Sequence, residues 1–173
     1  MTFPKPVLGF AAFSGTGKTT LLKQLIPLFR QQGIRVELIK HAHHDFDIDI
    51  PGKDSYELRK AGAQQVLVAS DKRQALITEA IATREPSLAE LVARLDLDNT
   101  DLVLVESFRH LPYPKIELYR KVLGKTLLHP DDHSIIAVAS DHLADTGGLP
   151  ALDMNDTTAI AAFIIAWLNT TTH

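Results

Sequence analysis

The chain has 173 residues, 45% of them apolar and 23% charged, with a formal net charge of -3 and no cysteine. That length predicts one domain, residues 1–173, able to bury about 70% of its unfolded surface without a disulfide or metal staple. The acid excess excludes the bulk positive field that non-specific nucleic-acid binding requires, and the missing cysteines exclude a thiol nucleophile, a Cys-ligated zinc and an iron–sulfur cluster.

Strand-like runs at residues 7–13, 35–40, 65–69, 75–78, 102–106, 115–119 and 134–139 alternate with helical ones, the pattern of an α/β layer fold on a mainly parallel sheet. Between the first two runs a helix is predicted over 18–32. Leu21, Leu22, Leu25, Leu28 and Phe29 stand at helical spacing, Gly33 is placed as the stop, and Pro27 should bend or shorten the helix. Asp54 with Glu57 and Ser87 with Glu90 have the spacing of reciprocal helix caps. Residues 111–130 read as a hairpin, 115–120 and 125–128 joined through Gly124. Such an insertion is either an oligomer contact or an ordinary edge hairpin.

A last helix opens near Asn155 or Asp156 and is apolar on nearly every side from Ala159 to Leu168, so it should be buried all round. That apolar run is about half of the ~20 residues a membrane helix needs. The N-terminal apolar stretch leads straight into Ser-Gly-Thr-Gly-Lys-Thr-Thr with no cleavage-type site. The expectation is a cytoplasmic protein with neither membrane nor nucleic acid as a partner. The fold class expected is an α/β P-loop NTPase, a mainly parallel sheet flanked by helices with an inserted β-hairpin.

The chemistry centres on Ala12-Phe-Ser14-Gly15-Thr16-Gly17-Lys18-Thr19, the phosphate-loop pattern with Ala in place of its first Gly, followed by Thr20. An apolar strand leads in and an amphipathic helix leads out. Glycines let successive amides turn toward phosphate oxygens, and the helix N-terminus adds partial positive charge. Lys18 would reach the β- and γ-phosphates and the Thr19 hydroxyl would bind Mg²⁺. Of the two acids flanking residues 102–105, Glu106 lies at the carboxyl end where ligands of such sheets sit, and Asp101 at the opposite end. Lys18 and Glu106 are therefore the catalytic candidates, and Thr19, Glu106 and Asp49 the metal-side candidates.

Asp49 belongs to His41-Ala-His43-His44-Asp45-Phe-Asp47-Ile-Asp49. If extended, this segment points His41, His43, Asp45, Asp47 and Asp49 to one face. It reads either as a switch-like loop beside a Mg²⁺–nucleotide or as a Zn²⁺ or Ni²⁺ cluster. At the end of the strand over 134–139, Asp141 could accept from the N1–H and N2 amine of guanine, or serve as a plain turn residue. Val138 and Ala139 stand where the usual guanine signature has Asn and Lys. Arg59, Arg109 and His110 are near candidates that no motif places. Without a positioned arginine finger, hydrolysis is expected to be slow, on the order of 10⁻⁴ to 10⁻² per second.

Taken together, the loop over 13–20, Ile39-Lys-His-Ala-His-His-Asp-Phe-Asp47, Pro51-Gly-Lys-Asp-Ser55, Ala61-Gly-Ala63 and Val103-Leu-Val-Glu-Ser-Phe108 resemble the MobB family, GTP-binding proteins of molybdopterin guanine dinucleotide biosynthesis. The likeness runs in order from the first strand to about residue 110, and the final Ala-Ser-Asp strand also matches. It implies GTP with Mg²⁺ as ligand, low intrinsic hydrolysis and a homodimer. It also implies partnership with the guanylyltransferase that attaches GMP to the molybdopterin cofactor. Ser107 departs from the pattern, which has Gly after the acid and uses its amide on the γ-phosphate. Other classes stay open at this stage: a metallochaperone GTPase delivering nickel or zinc through His41, His43 and His44, a small-molecule kinase, or a nucleotide-binding scaffold without turnover.

Overall fold

The computed structural model describes residues 1–42, 46–80, 84–142 and 146–171. The chain divides into two compact units, Met1–His41 with Ser87–His173, and Ala42–Pro86.

The first unit holds a six-stranded sheet in the order β2-β5-β1-β6-β7-β8. Its strands are β1 (Val7–Ala12), β2 (Val36–Lys40), β5 (Leu102–Glu106), β6 (Lys115–Tyr119), β7 (Ile135–Ser140) and β8 (Ala151–Asp153). Every pairing in it is parallel. Parallel sheets are buried on both faces, so their strands read as continuous apolar runs rather than alternating ones. Leu8 and Phe10 of β1 and Leu102 and Leu104 of β5 face one core, which α1 (Lys18–Gln31) and α4 (Thr157–Thr171) complete with Leu25, Phe29, Ile160 and Ile164. Val7, Val103 and Val105 face the other, closed by Leu88 and Val92 of α3 (Leu88–Val92). The result is the three-layer α/β architecture of a P-loop NTPase. α1 runs unbroken through Pro27 and is not shortened by it.

The second unit contains α2 (Asp54–Lys60) and an antiparallel pair, β3 (Gln65–Ala69) with β4 (Gln74–Thr78). The Ser70 hydroxyl accepts from the Lys72 and Arg73 amides at 3.2 Å and closes the turn of that hairpin.

Several sequence expectations need correction. The inserted hairpin is β3–β4, not residues 111–130: residues 115–119 form a central strand of the parallel sheet and 125–128 form no strand. The cap predicted at Asp54 is absent, because Lys53 is the extended cap residue and Asp54 already lies in the helix. The one at Ser87 is present, with both reciprocal bonds to Glu90. α4 is buried along one face, by Ile160, Ala161, Ile164 and Leu168, whereas Ala159, Ala162 and Ala166 are exposed. Strand β8 escaped the sequence reading. Among the described residues no helix is long and apolar enough to cross a membrane.

Candidate functional site

The phosphate-loop pattern lies between β1 and α1, at the carboxyl edge of the sheet beside its topological switch point. Ala12 ends the strand, and it is not among the residues with a positive φ, so its Cβ is accommodated. Gly15 and Gly17 take φ of 82° and 97°, the left-handed region where a side chain is disfavoured. Thr16 between them is buried and its hydroxyl donates 2.6 Å to the Phe13 carbonyl, fixing the turn from within. Gly17 is the helix cap and offers no side chain to the first amides of α1, and no acid stands in the first turn. Those amides and the helix dipole are therefore presented to an anion. Ser14 and Gly15 of the loop and Thr19 and Thr20 of the first turn of α1 are exposed.

Lys18 is half-buried, and burial is the main reason its ammonium is held below the usual lysine range. Glu106 opposes that shift, while Lys40 and Arg109 add to it, so these four side chains share one electrostatic neighbourhood. Lys40 and Glu106 are register partners on β2 and β5. Arg109 stacks on the Phe13 ring at 5.2 Å, and Lys125 lies over the same ring at 5.8 Å. Arg120 completes the group: its Nε donates 2.8 Å to the Thr16 carbonyl, and a Cβ added at Gly17 would meet its Nη2 at 3.4 Å. A chain with net negative charge thus concentrates cations around one loop, where an anion of high charge density is stabilised. Sequence reasoning reached Lys18, Glu106 and Arg109. It missed Arg120 and Lys125, which lie in loops and carry no motif, and gave no role to Lys40 within the motif over 39–47.

Immediately after Glu106 the chain makes a strained turn. Ser107 and Phe108 have φ of 118° and 55°, uncommon for residues with a Cβ and costing on the order of 1–3 kcal/mol each. The Ser107 hydroxyl donates to the His41 carbonyl at 3.3 Å, and the Ser107 carbonyl accepts 2.9 Å from the Tyr113 phenol. Phe108 is buried with its ring 4.9 Å from that of His41. The sequence pattern marks this place as one where glycine belongs, and the backbone agrees.

Asp141 follows β7. It accepts from the Lys121 amide at 3.2 Å through Oδ1 and from Arg120 at 3.3 Å through Oδ2. Each carboxylate oxygen keeps a second lone pair. Beside it a cleft of about 220 Å³ is lined by Ser140, Asp141, His142, Asp153 and Asn155, among others, at the carboxyl ends of β7 and β8. Asp101 lies at the opposite end of β5, in a bidentate pair with Arg35, as its position predicts.

In the second unit Arg59 is buried and gathers three acids. It bonds both oxygens of Asp47 at 2.7 and 2.6 Å and Glu79 at 2.6 Å, and its Nε lies 3.9 Å from Asp49 Oδ2. Hydrogen bonding from Arg59 holds the Asp47 carboxyl below its ordinary range. Asp49 Oδ1 accepts from the Ser55 hydroxyl and the Ile50 amide, while its Oδ2 is buried without a hydrogen-bond partner. His43, His44 and Asp45 of the candidate metal cluster lie outside the described residues. Among the described residues no group of three or more metal-ligating side chains is assembled.

Residues 7–141 match the family model of molybdopterin guanine dinucleotide synthesis protein B. The molybdopterin-guanine dinucleotide biosynthesis adapter protein of Escherichia coli K12 is 50% identical over 94% of this chain and 93% of its own length. That of Haemophilus influenzae is 44% identical over 95% of this chain and 90% of its own. The crystal structure of a molybdopterin-guanine biosynthesis protein B superposes with a TM-score of 0.73 at 26% identity, covering 93% of this chain and 99% of that one. Bacillus subtilis MobB gives a TM-score of 0.71 at 25% identity, over 93% and 96%. With the ordered motifs, the fold and the relatives in agreement, the chain belongs to the MobB family.

Proposed function

We propose that this chain is a GTP-binding adapter with weak GTPase activity that assists molybdopterin guanine dinucleotide biosynthesis. In this reading it works with the guanylyltransferase that attaches GMP to the molybdopterin cofactor. The observation that carries the nucleotide half is the loop itself: left-handed Gly15 and Gly17, uncapped amides at the start of a 14-residue helix, and Lys18 with Glu106 in its electrostatic range. The relatives' name, adapter protein, supports the other half. Functionally we read residues 1–173 as one nucleotide-binding domain in which 42–86 is an insertion between β2 and β5.

Lys18 would hold the terminal phosphates. The Thr19 hydroxyl and the Glu106 carboxylate are hard oxygen donors of the kind Mg²⁺ takes, so they fit the cation that accompanies a nucleotide. That cation would neutralise phosphate charge. Asp49 of the second unit is proposed as a further metal-side acid; its Oδ2 is buried, makes no hydrogen bond and lies 3.9 Å from Arg59 Nε. Asp141, with the cleft beside it, is the proposed guanine reader, since a carboxylate accepts from guanine N1–H and N2 but faces a lone pair on adenine N1.

A homodimer is proposed as well. The second unit exposes Phe46, Ile48, Ile50 and Leu58, and the cross-strand pair Leu67–Leu76 of its two-stranded sheet, an apolar surface that a second copy would cover. The lack of cysteine supports a cytoplasmic location.

Titration with GTP and with ATP, each in Mg²⁺, tests the reading. GTP should bind more tightly, and Lys18→Ala should abolish binding with the far-UV circular dichroism unchanged. Retained affinity in that variant would overturn the loop assignment, and tighter ATP binding would remove the guanine half. Light scattering at micromolar concentration checks the dimer, which a monomer's mass would refute. Capture of the purified guanylyltransferase only when GTP is present checks the partnership, and no capture under any nucleotide condition would end it.

A further inference from the structure

Resting on the nucleotide reading above, we propose that Tyr113 is a positioning residue for recognition of the terminal phosphate: its phenol holds the Ser107 carbonyl and so orients the strained turn after Glu106. Ser107 and Phe108 are bracketed by Glu106 and Arg109, and both of those side chains act electrostatically on Lys18. The turn is thereby located at the phosphate end of the loop. The Ser107 amide continues the β1–β5 ladder past the Phe10–Glu106 pair, whereas among the described residues the Phe108 amide donates to no backbone carbonyl. The Phe108 amide, at a positive site, is therefore available to an anion.

The phenol controls where that amide points. A peptide unit is planar and trans, so fixing the Ser107 carbonyl toward Tyr113 turns the Phe108 N–H to the opposite side. The bond from Tyr113 Oη is 2.9 Å long. Other tethers of the turn are the Ser107 hydroxyl on the His41 carbonyl, at 3.3 Å, and the Leu111 amide on the Phe108 carbonyl, at 3.0 Å. Positive φ at two residues bearing side chains is disfavoured, so the turn relaxes unless its neighbours determine it.

Tyr113 is itself held rigidly. Its ring is buried and lies against Gly9 of β1, where an added Cβ would sit 2.6 Å from the phenol oxygen. Lys115 stands over the ring with its ammonium 5.0 Å from the centroid, and Asp132 fixes that ammonium at 2.9 Å. Burial pushes the phenol pKa well up, so the O–H remains a donor throughout the physiological range. The turn is thus referenced to β1, the same strand that delivers the phosphate loop.

The test is Tyr113→Phe, which removes one oxygen and keeps the ring between Gly9 and Lys115. Calorimetric titration of native protein and variant with GDP and with a non-hydrolysable GTP analogue, in Mg²⁺, should show GDP affinity unchanged. Affinity for the analogue should fall by about 3- to 10-fold, the worth of one neutral hydrogen bond. Ser107→Gly introduced beside Tyr113→Phe should recover part of the loss, because glycine adopts the left-handed turn without a tether. An unchanged ratio of the two affinities, or an equal fall in both, would overturn the proposal by making Tyr113 irrelevant or merely structural. Failure of the native protein to bind either nucleotide would instead overturn the nucleotide reading, and this inference with it.

Discussion

Arg120 Nε donates a 2.8 Å hydrogen bond to the carbonyl of Thr16, a residue 104 positions earlier in the chain. The same guanidinium pairs with Asp141 at 3.3 Å. One side chain therefore connects the backbone of the phosphate loop to the acid at the end of β7. Arg120→Ala should weaken GTP binding by about 3- to 10-fold, the loss of one charge-assisted bond from a partly exposed site. Asp141→Asn should reduce the preference for GTP over ATP more than it reduces total affinity. Competition titrations of both variants read the two effects separately. An Arg120→Ala variant with reduced preference and intact affinity would reverse the assignment.

Gly9 has no room for a methyl group, since a Cβ there would meet the Tyr113 oxygen at 2.6 Å and the ring carbons at 2.7 and 2.8 Å. Both residues are in the interior, so the ring cannot swing to solvent. Gly9→Ala should destabilise the fold by about 1–3 kcal/mol, the usual cost of overpacking a filled core. Urea denaturation followed by circular dichroism measures it, and a change within error would mean that Tyr113 has space to retreat.

Hydrogen bonds from Arg35 hold the Asp101 carboxyl at about 2, below its ordinary 3.8. A depressed pKa in the folded state means that the contribution is complete above the unfolded value and disappears as pH falls through the folded one. The side chains are 51% and 35% exposed, so solvent screens the pair and its contribution is small. Asp101→Asn should lower the urea midpoint by the same small amount from about pH 7 to about pH 5, with the difference fading below about pH 4. A difference that persists in strong acid would show that the charge is not its source.

Lys115 is fully buried and its ammonium meets Asp132 at 2.9 Å. Burial alone would raise the Asp132 carboxyl, but hydrogen bonds from Ser134 and Lys115 outweigh it and keep the group low. Lys115→Met leaves that carboxylate without its counter-ion and should cost about 3 kcal/mol. Adding Asp132→Asn should return part of this, because the remaining group is then neutral. Equilibrium unfolding of the single and double variants gives the comparison; a single variant as stable as the native chain would make the pair incidental.

Much of the architecture was legible because burial on two faces leaves its mark on composition. Leu102, Val103, Leu104 and Val105 read as an interior strand and form one. The phosphate loop was legible because its backbone geometry requires glycine where glycine stands. Residues 115–119 form the expected strand, and their placement in a hairpin fails for an equally physical reason. Lys115 and Glu117 alternate with Ile116 and Leu118, the pattern of a half-exposed edge strand. Their charges are satisfied far away in sequence, Lys115 by Asp132 and Glu117 by the Leu128 and His129 amides. Periodicity registers polarity and not partners. The same limit hid the roles of Arg120 and Lys40, whose meaning comes from what the sheet order brings beside them. Asp54 failed as a cap because the chain turns into the helix one residue earlier, at Lys53.

The two charges inside β6 also act on the folding problem itself. Ile116 and Leu118 face the core shared with α1 and α4, and by strand alternation Lys115 and Glu117 face the other way. A slip of one residue in pairing with β1 would carry an ammonium and a carboxylate into that apolar layer, away from Asp132 and the amides at 128 and 129. An apolar strand in this place would tolerate such a shift at little cost. Here the misaligned sheet is penalised by two stranded ions, so β6 has one acceptable alignment and the loop following β1 has one fixed neighbour.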